Sequence, residues 1–149
     1  MFKYRLERVL ELREQELEKA KTDFQEAIAI VKKLQQKLAE NKVEQSETQN
    51  QLSKPDGLTA PILYLNRLNY LKSQKDILEE EIIEAEKALE IVKEKMIEAQ
   101  QKTEVLKKHK DKQKKLFLFN ELKAEEKEFN ELALTMRRQN QEKNGELEN

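Results

Sequence analysis

Residues 51–64 read QLSKPDGLTAPILY. Both prolines of the chain, Pro55 and Pro61, lie in this stretch, together with Gly57, one of its two glycines. The other glycine, Gly145, sits in a polar C-terminal segment. Proline fixes φ and glycine tolerates positive φ, so Pro55-Asp56-Gly57 is a turn signal with a mechanism. On both sides of it the sequence has a helical period.

Before the break, steps of four and three from Leu6 land on Leu10, Arg13, Leu17, Ala20, Phe24 and Ala27. They continue through Val31, Leu34, Leu38, Asn41, Gln45, Thr48 and Leu52. Ten of these fourteen positions are apolar, and Glu, Lys and Gln dominate between them. A seam held over this many heptads is a coiled-coil signature and not a product of disorder. Its polar stretch at Asn41, Gln45 and Thr48 predicts looser pairing near the break.

After the break, Pro61 suits the first turn of a helix. A second seam runs Tyr64, Leu68, Leu71, Lys75, Leu78, Ile82 and Ala85, then Leu89, Val92, Met96, Ala99, Thr103 and Leu106. A four-three pattern implies a left-handed supercoil with a partner helix. The nearest partner is the first arm, which gives an all-α, antiparallel two-helix coiled coil, a helical hairpin. A flexible joint between two parallel-dimer coiled coils is the alternative. Both arms end cleanly at the loop, which favours the hairpin. The expected layout is one domain over 1–149: a first helix over 2–52, a tip at 53–61, a longer second helix over 62–142 and a disordered tail over 143–149.

Composition agrees. Of 149 residues, 40% are charged and 5% are aromatic, too few apolar side chains for a globular core of that length. Net charge is −1 and there is no cysteine, which excludes a disulfide frame and thiolate chemistry. No window approaches a membrane span, and the N-terminus has no apolar signal core. These features read as a cytoplasmic protein.

The break is off-centre, and that has a geometric consequence. Folded at residue 57, facing residue numbers sum to about 114, so the first arm runs out opposite residue 112. About 30 residues of the second helix then overhang, roughly 45 Å at 1.5 Å per residue. The sequence changes there. Residues 107–115 are KKHKDKQKK, six lysines in nine positions, and Lys110 and Gln113 interrupt the seam. A new apolar phase follows at Leu118, Leu122, Phe129, Leu132 and Met136, with Leu116, Phe117 and Phe119 at its head. An unpartnered helix carrying exposed Phe and Leu needs a reason. It folds back, pairs with a copy of itself, or enters a pocket in a different protein.

Little else suggests chemistry. His109 is the only histidine and reads as a solvated surface residue; a metal site needs further ligands. The densest carboxylates, Glu79 to Glu81 with Glu84 and Glu86, face solvent on a two-helix rod that offers no cleft to shift their pKa. No phosphate-binding glycine loop is present. The sequence therefore reads as a non-enzyme with no cofactor and no metal. The lysine run is either a solvated face or a contact for phosphates or an acidic protein surface. A second stripe, Leu63, Tyr70, Ile77 and Ile91, either broadens the core on one side or forms a partner-facing strip.

The N-terminus FKYRLERVLELR, Phe2 to Arg13, resembles the opening of the FliJ family of flagellar type III export proteins. The segment EKEFNELALTMRR, Glu126 to Arg138, is similar to that family's C-terminal helix. The resemblance implies an antiparallel two-helix coiled coil, like the central stalk of rotary ATPases. It implies three partners: the export ATPase FliI, the export gate protein FlhA and substrate-specific chaperones. ATPase contact would fall on Phe2, Tyr4 and Leu6 with Phe117, Phe119, Leu122, Phe129, Leu132 and Met136. Gate contact would fall on Tyr70, Gln74, Ile77 and Glu81, although Gln74 and Glu81 are polar where small or apolar residues belong. It implies a protein that is a monomer when free, without nucleic acid, at the cytoplasmic face of the cell membrane by the flagellar basal body. The related stalk proteins of injectisomes share this layout. A homo-oligomeric coiled-coil scaffold without an ATPase partner is the competing reading.

Overall fold

The computed structural model of the chain describes residues 1–54 and 61–148. Two helices account for nearly all of them: α1 (Glu7–Ser53, 47 residues) and α2 (Pro61–Glu148, 88 residues). Pro61 opens α2, where its missing N–H has no intrahelical acceptor to lose. The expected hairpin tip falls largely on 55–60, outside the described residues. The fold class is the one expected, an antiparallel two-helix coiled coil.

The chain divides into two compact units, Leu12–Lys102 and Met1–Glu11 with Thr103–Asn149. In the first, Leu17, Val31, Leu68 and Leu71 are buried. Burying each such side chain contributes about 1.5–3 kcal/mol. Asn41 Nδ2 donates to the Leu71 carbonyl at 2.9 Å, and Arg67 donates to Glu44 Oε2 at 3.0 Å. Residue numbers fall on α2 as they rise on α1, so the helices run antiparallel. Every seam position from Leu6 to Leu52 and from Tyr64 to Leu106 is buried or half-buried.

The polar part of the seam does not show the expected loosening. Asn41 and Thr48 are each 7% exposed, as buried as Val31. They are tolerated there because their polar atoms are satisfied. Gln45 Nε2 donates to Asn41 Oδ1 at 2.6 Å, Asn41 donates across to α2, and Thr48 Oγ1 donates to the Glu44 carbonyl at 2.8 Å. A buried polar group costs little once it is bonded.

Three boundaries differ from expectation. The first helix starts at Glu7 instead of residue 2. Residues 1–4 are non-helical, with the Glu7 N–H bonded to the Tyr4 carbonyl at 3.2 Å. Their aromatic rings pack on α2, and that packing outweighs helix propensity. At the other end α2 runs to Glu148, so 143–148, expected as a tail, is helical. Glu, Lys and Gln are good helix formers, and Gly145 costs only about 1 kcal/mol relative to Ala without removing a hydrogen bond. The third difference, where the overhang begins, belongs to the site.

Candidate functional site

The second unit is built on the paired ends of the chain. Leu10 and Thr103 are buried at its base, 3% and 2% exposed. From there the N-terminal segment lies along α2 through three contacts. Glu7 meets Lys110: Nζ donates to Oε1 at 3.1 Å and lies 2.8 Å from Oε2, where the alignment serves charge attraction and not a hydrogen bond. The Lys110 side chain is about a third exposed and that of Glu7 about two-fifths, so the pair contributes no more than about 1 kcal/mol. Tyr4 is buried, and its hydroxyl lies 2.6 Å from His109 Nδ1, one donating to the other according to the ring's tautomer. A longer contact of 3.5 Å reaches the Leu106 carbonyl. Phe2 packs on Phe117 with ring centroids 5.6 Å apart and planes tilted by 50°.

Helical register would put Phe2 opposite residue 112, yet it meets Phe117. Residues 1–4 have left the helix and 5–6 form a turn, so helical register no longer sets which part of α2 the segment meets. The N-terminal segment therefore covers α2 up to Phe117, and the overhang starts at 118, not 112. His109, read from sequence as a solvated residue without a role, is exposed but bonded to Tyr4. The facing-number rule was the available signal, since it sets Tyr4 opposite residue 110.

Beyond Phe117 every described side chain to Glu146 is exposed except Ala133, which is half-buried. Phe119 (54%), Leu122 (64%), Phe129 (70%), Leu132 (55%) and Met136 (57%) form an apolar row with no protein over it. Leu118 lies on the same row, and Lys123 Nζ sits 4.7 Å above the Phe119 ring. The nine residues assigned to the paired ends therefore split. Phe2, Tyr4, Leu6 and Phe117 pack within the unit, and the other five are presented outward.

The strip on early α2 is a separate surface. Leu63, Tyr70, Ile77 and Ile91 are all exposed, so they do not broaden the core. Gln74 is half-buried between Tyr70 and Ile77, and Glu81 is exposed. Arg67 lies 5.6 Å from the Tyr70 ring while it pairs with Glu44 of α1. Ile62, Leu65 and Ile83, which periodicity did not single out, are also exposed. Among the described residues no cluster of His, Cys, Asp and Glu could hold a metal ion, and no helix is long and apolar enough to cross a membrane.

No curated protein matches the chain. Its fold is similar to that of CT670 from Chlamydia trachomatis, described as a YscO homolog, with a TM-score of 0.67. The two share 21% identity over 95% of this chain and 99% of that one, a likeness that shows the fold alone. The family model of the flagellar FliJ protein matches residues 2–142. That match takes in the packed N-terminal aromatics, both seams and the apolar row, so the chain belongs to the flagellar FliJ protein family, whose members are non-enzymatic components of the type III export apparatus.

Proposed function

We propose that this protein couples the export ATPase FliI to the membrane export gate. The ATPase takes the paired ends, with Phe119, Leu122, Phe129, Leu132 and Met136 entering its ring. Phe2, Tyr4, Leu6 and Phe117 act from below by fixing the base of that helix. The gate protein FlhA takes Tyr70, Gln74, Ile77 and Glu81, and chaperones deliver substrates to the same assembly at the cytoplasmic face of the membrane. The observation that carries this reading is the uncovered apolar row from Phe119 to Met136. A row of this kind on a helix marks a partner site, and helix-in-groove binding reads such anchors at i, i+3, i+4 and i+7.

The test is co-sedimentation of purified FliI with the full chain and with a Phe119→Ser, Leu122→Ser, Phe129→Ser variant. ATP turnover is measured in parallel. The variant should keep the helicity of the parent, because these side chains are exposed, and should lose ATPase binding. Undiminished binding and turnover effects would remove the row from the interface. A chain that instead sediments as a stable dimer broken by the same substitutions would favour the scaffold reading.

A further inference from the structure

We propose that the charge around the paired ends is a second docking element, a cationic collar fitted to an acidic rim that encircles it. It rests on the reading above, since the rim belongs to the ATPase ring entered by the apolar row.

Residues 1–8 and 107–115 carry nine Lys and Arg against Glu7 and Asp111, a net of +7 in a chain of net charge −1. Packing brings the two stretches together through Tyr4, Glu7 and their partners on α2. Only Lys110 spends its charge internally, on Glu7. Lys3, Arg5 and Arg8 on one stretch are exposed and make no ion pair among the described residues. The same holds for Lys107, Lys108, Lys112, Lys114 and Lys115 on the other. The Leu12–Lys102 unit differs: its 15 Lys and Arg stand against 18 Asp and Glu, a net of −3, and Arg13, Lys21, Arg67 and Lys75 are in ion pairs.

Placement around the axis selects the partner. At 100° per residue, Lys108, Lys112 and Lys115 share one face of α2, and Lys107 and Lys114 share another. The face holding Lys110 and Phe117 is covered by the N-terminal segment, which lays Lys3, Arg5 and Arg8 over that side. Positive charge thus lies on three sides of the paired ends. A lipid surface or a nucleic-acid backbone touches one side and leaves the rest of such charge unused. No aromatic residue interrupts 107–115 to stack a base. A ring lined with Asp and Glu uses every side, and its field would steer the paired ends into the opening before any apolar contact forms.

The experiment measures association of the full chain with FliI by stopped flow across a salt series. Two triple variants are compared: Lys108→Glu, Lys112→Glu, Lys115→Glu, and Lys3→Glu, Arg5→Glu, Arg8→Glu. All six side chains are exposed, and circular dichroism checks that both variants fold. The collar predicts that each variant slows association at least tenfold at low salt, with a shallower salt slope, and that both sides act alike. Association with parental rate and slope in both variants would overturn it, as would an effect confined to one side. Vesicles of phosphatidylglycerol and a single-stranded RNA serve as one-sided polyanions. If either binds the parent with the steep salt slope while FliI association ignores salt, the collar belongs to that polyanion and the proposal fails. If FliI does not bind the parent at all, the proposed function fails first, and with it the collar.

Discussion

Asn41 offers the sharpest test of what holds the hairpin. It occupies a core position of α1, is 7% exposed, and makes two hydrogen bonds, one to the Leu71 carbonyl and one from Gln45. Replacing it with Ala removes both bonds and leaves space in the seam. At about 0.5–1.5 kcal/mol per bond, the loss is about 2 kcal/mol. Replacing it with Leu removes the same bonds but fills the space, and burial of Leu returns about 1.5–3 kcal/mol. No backbone group is orphaned in either case, because the Leu71 carbonyl keeps its intrahelical partner and the half-buried Gln45 amide can turn to water. Leu should therefore leave stability within about 1 kcal/mol of the parent, on the stabilising side.

In a chain of this length about 1 kcal/mol moves Tm by roughly 2–4 °C. Asn41→Ala should lower Tm by about 4–8 °C, and Asn41→Leu should hold or raise it by up to about 4 °C. Thermal unfolding followed by circular dichroism at 222 nm measures both, with urea titration as a second reading. The reasoning is refuted if Leu destabilises as much as Ala. That result would mean that the site cannot accept an apolar side chain, and that the bond to Leu71 supports the local backbone and does more than satisfy a buried amide. A neutral Asn41→Ala would show instead that the two bonds add nothing over solvation.

Three further outcomes follow from burial and contact. Leu10→Ala, at a site 3% exposed, should cost about 2–5 kcal/mol in urea unfolding, while Leu122→Ala, at 64%, should stay within about 0.5 kcal/mol. Tyr4→Phe and His109→Ala should each lose about 1 kcal/mol, and the double variant should lose less than their sum, since both remove one bond. Hydrogen exchange should be fast at amides 120–146 and slow at 64–106, because a helix without tertiary packing has little protection; equal protection would point to a covering partner or copy.

The seams were legible because burial on one side of a helix imposes a period that charge and composition cannot imitate. Even Arg13, Lys75 and Thr103, which break the apolar pattern, lie where the period puts them. The N-terminal segment was not legible as non-helical chain. Lys3, Arg5 and Leu6 favour helix locally, and what overrides them is contact with residues more than a hundred positions away. His109 lies at the surface as its place in the lysine run suggests, but its bond to Tyr4 was missed for the same reason: nothing beside it in sequence needs it. Of the candidate site, the apolar phase from Leu118 to Met136 was visible as a pattern. The division into a packed group and a presented group was not, because it depends on how far the non-helical N-terminal segment reaches along α2.

That division has a consequence for how the paired ends can work. On α2 the residues that meet the N-terminal segment are His109, Lys110 and Phe117, with the Leu106 carbonyl. Of the apolar row and its head, Leu118, Leu122, Phe129 and Met136 lie roughly 100° around the helix from Lys110 and Phe117, and farther from His109. A partner reading the row need not displace Phe2 or Tyr4, so closure of the paired ends and engagement of the row are compatible at once. The two groups should then fail differently. Loss of Phe2 or Tyr4 loosens the base, lowers stability and weakens binding only by the ordering it adds. Loss of row residues leaves stability alone and removes contact directly. Ordering matters because the row sits on helix that nothing else packs against, and fixing a residue's backbone costs about 1–2 kcal/mol of entropy. By holding the helix up to Phe117, the N-terminal aromatics shorten the stretch that a partner must order. Their contribution to affinity is therefore indirect: it would vanish in a variant whose overhang was made rigid by other means, while the contribution of Phe129 would not.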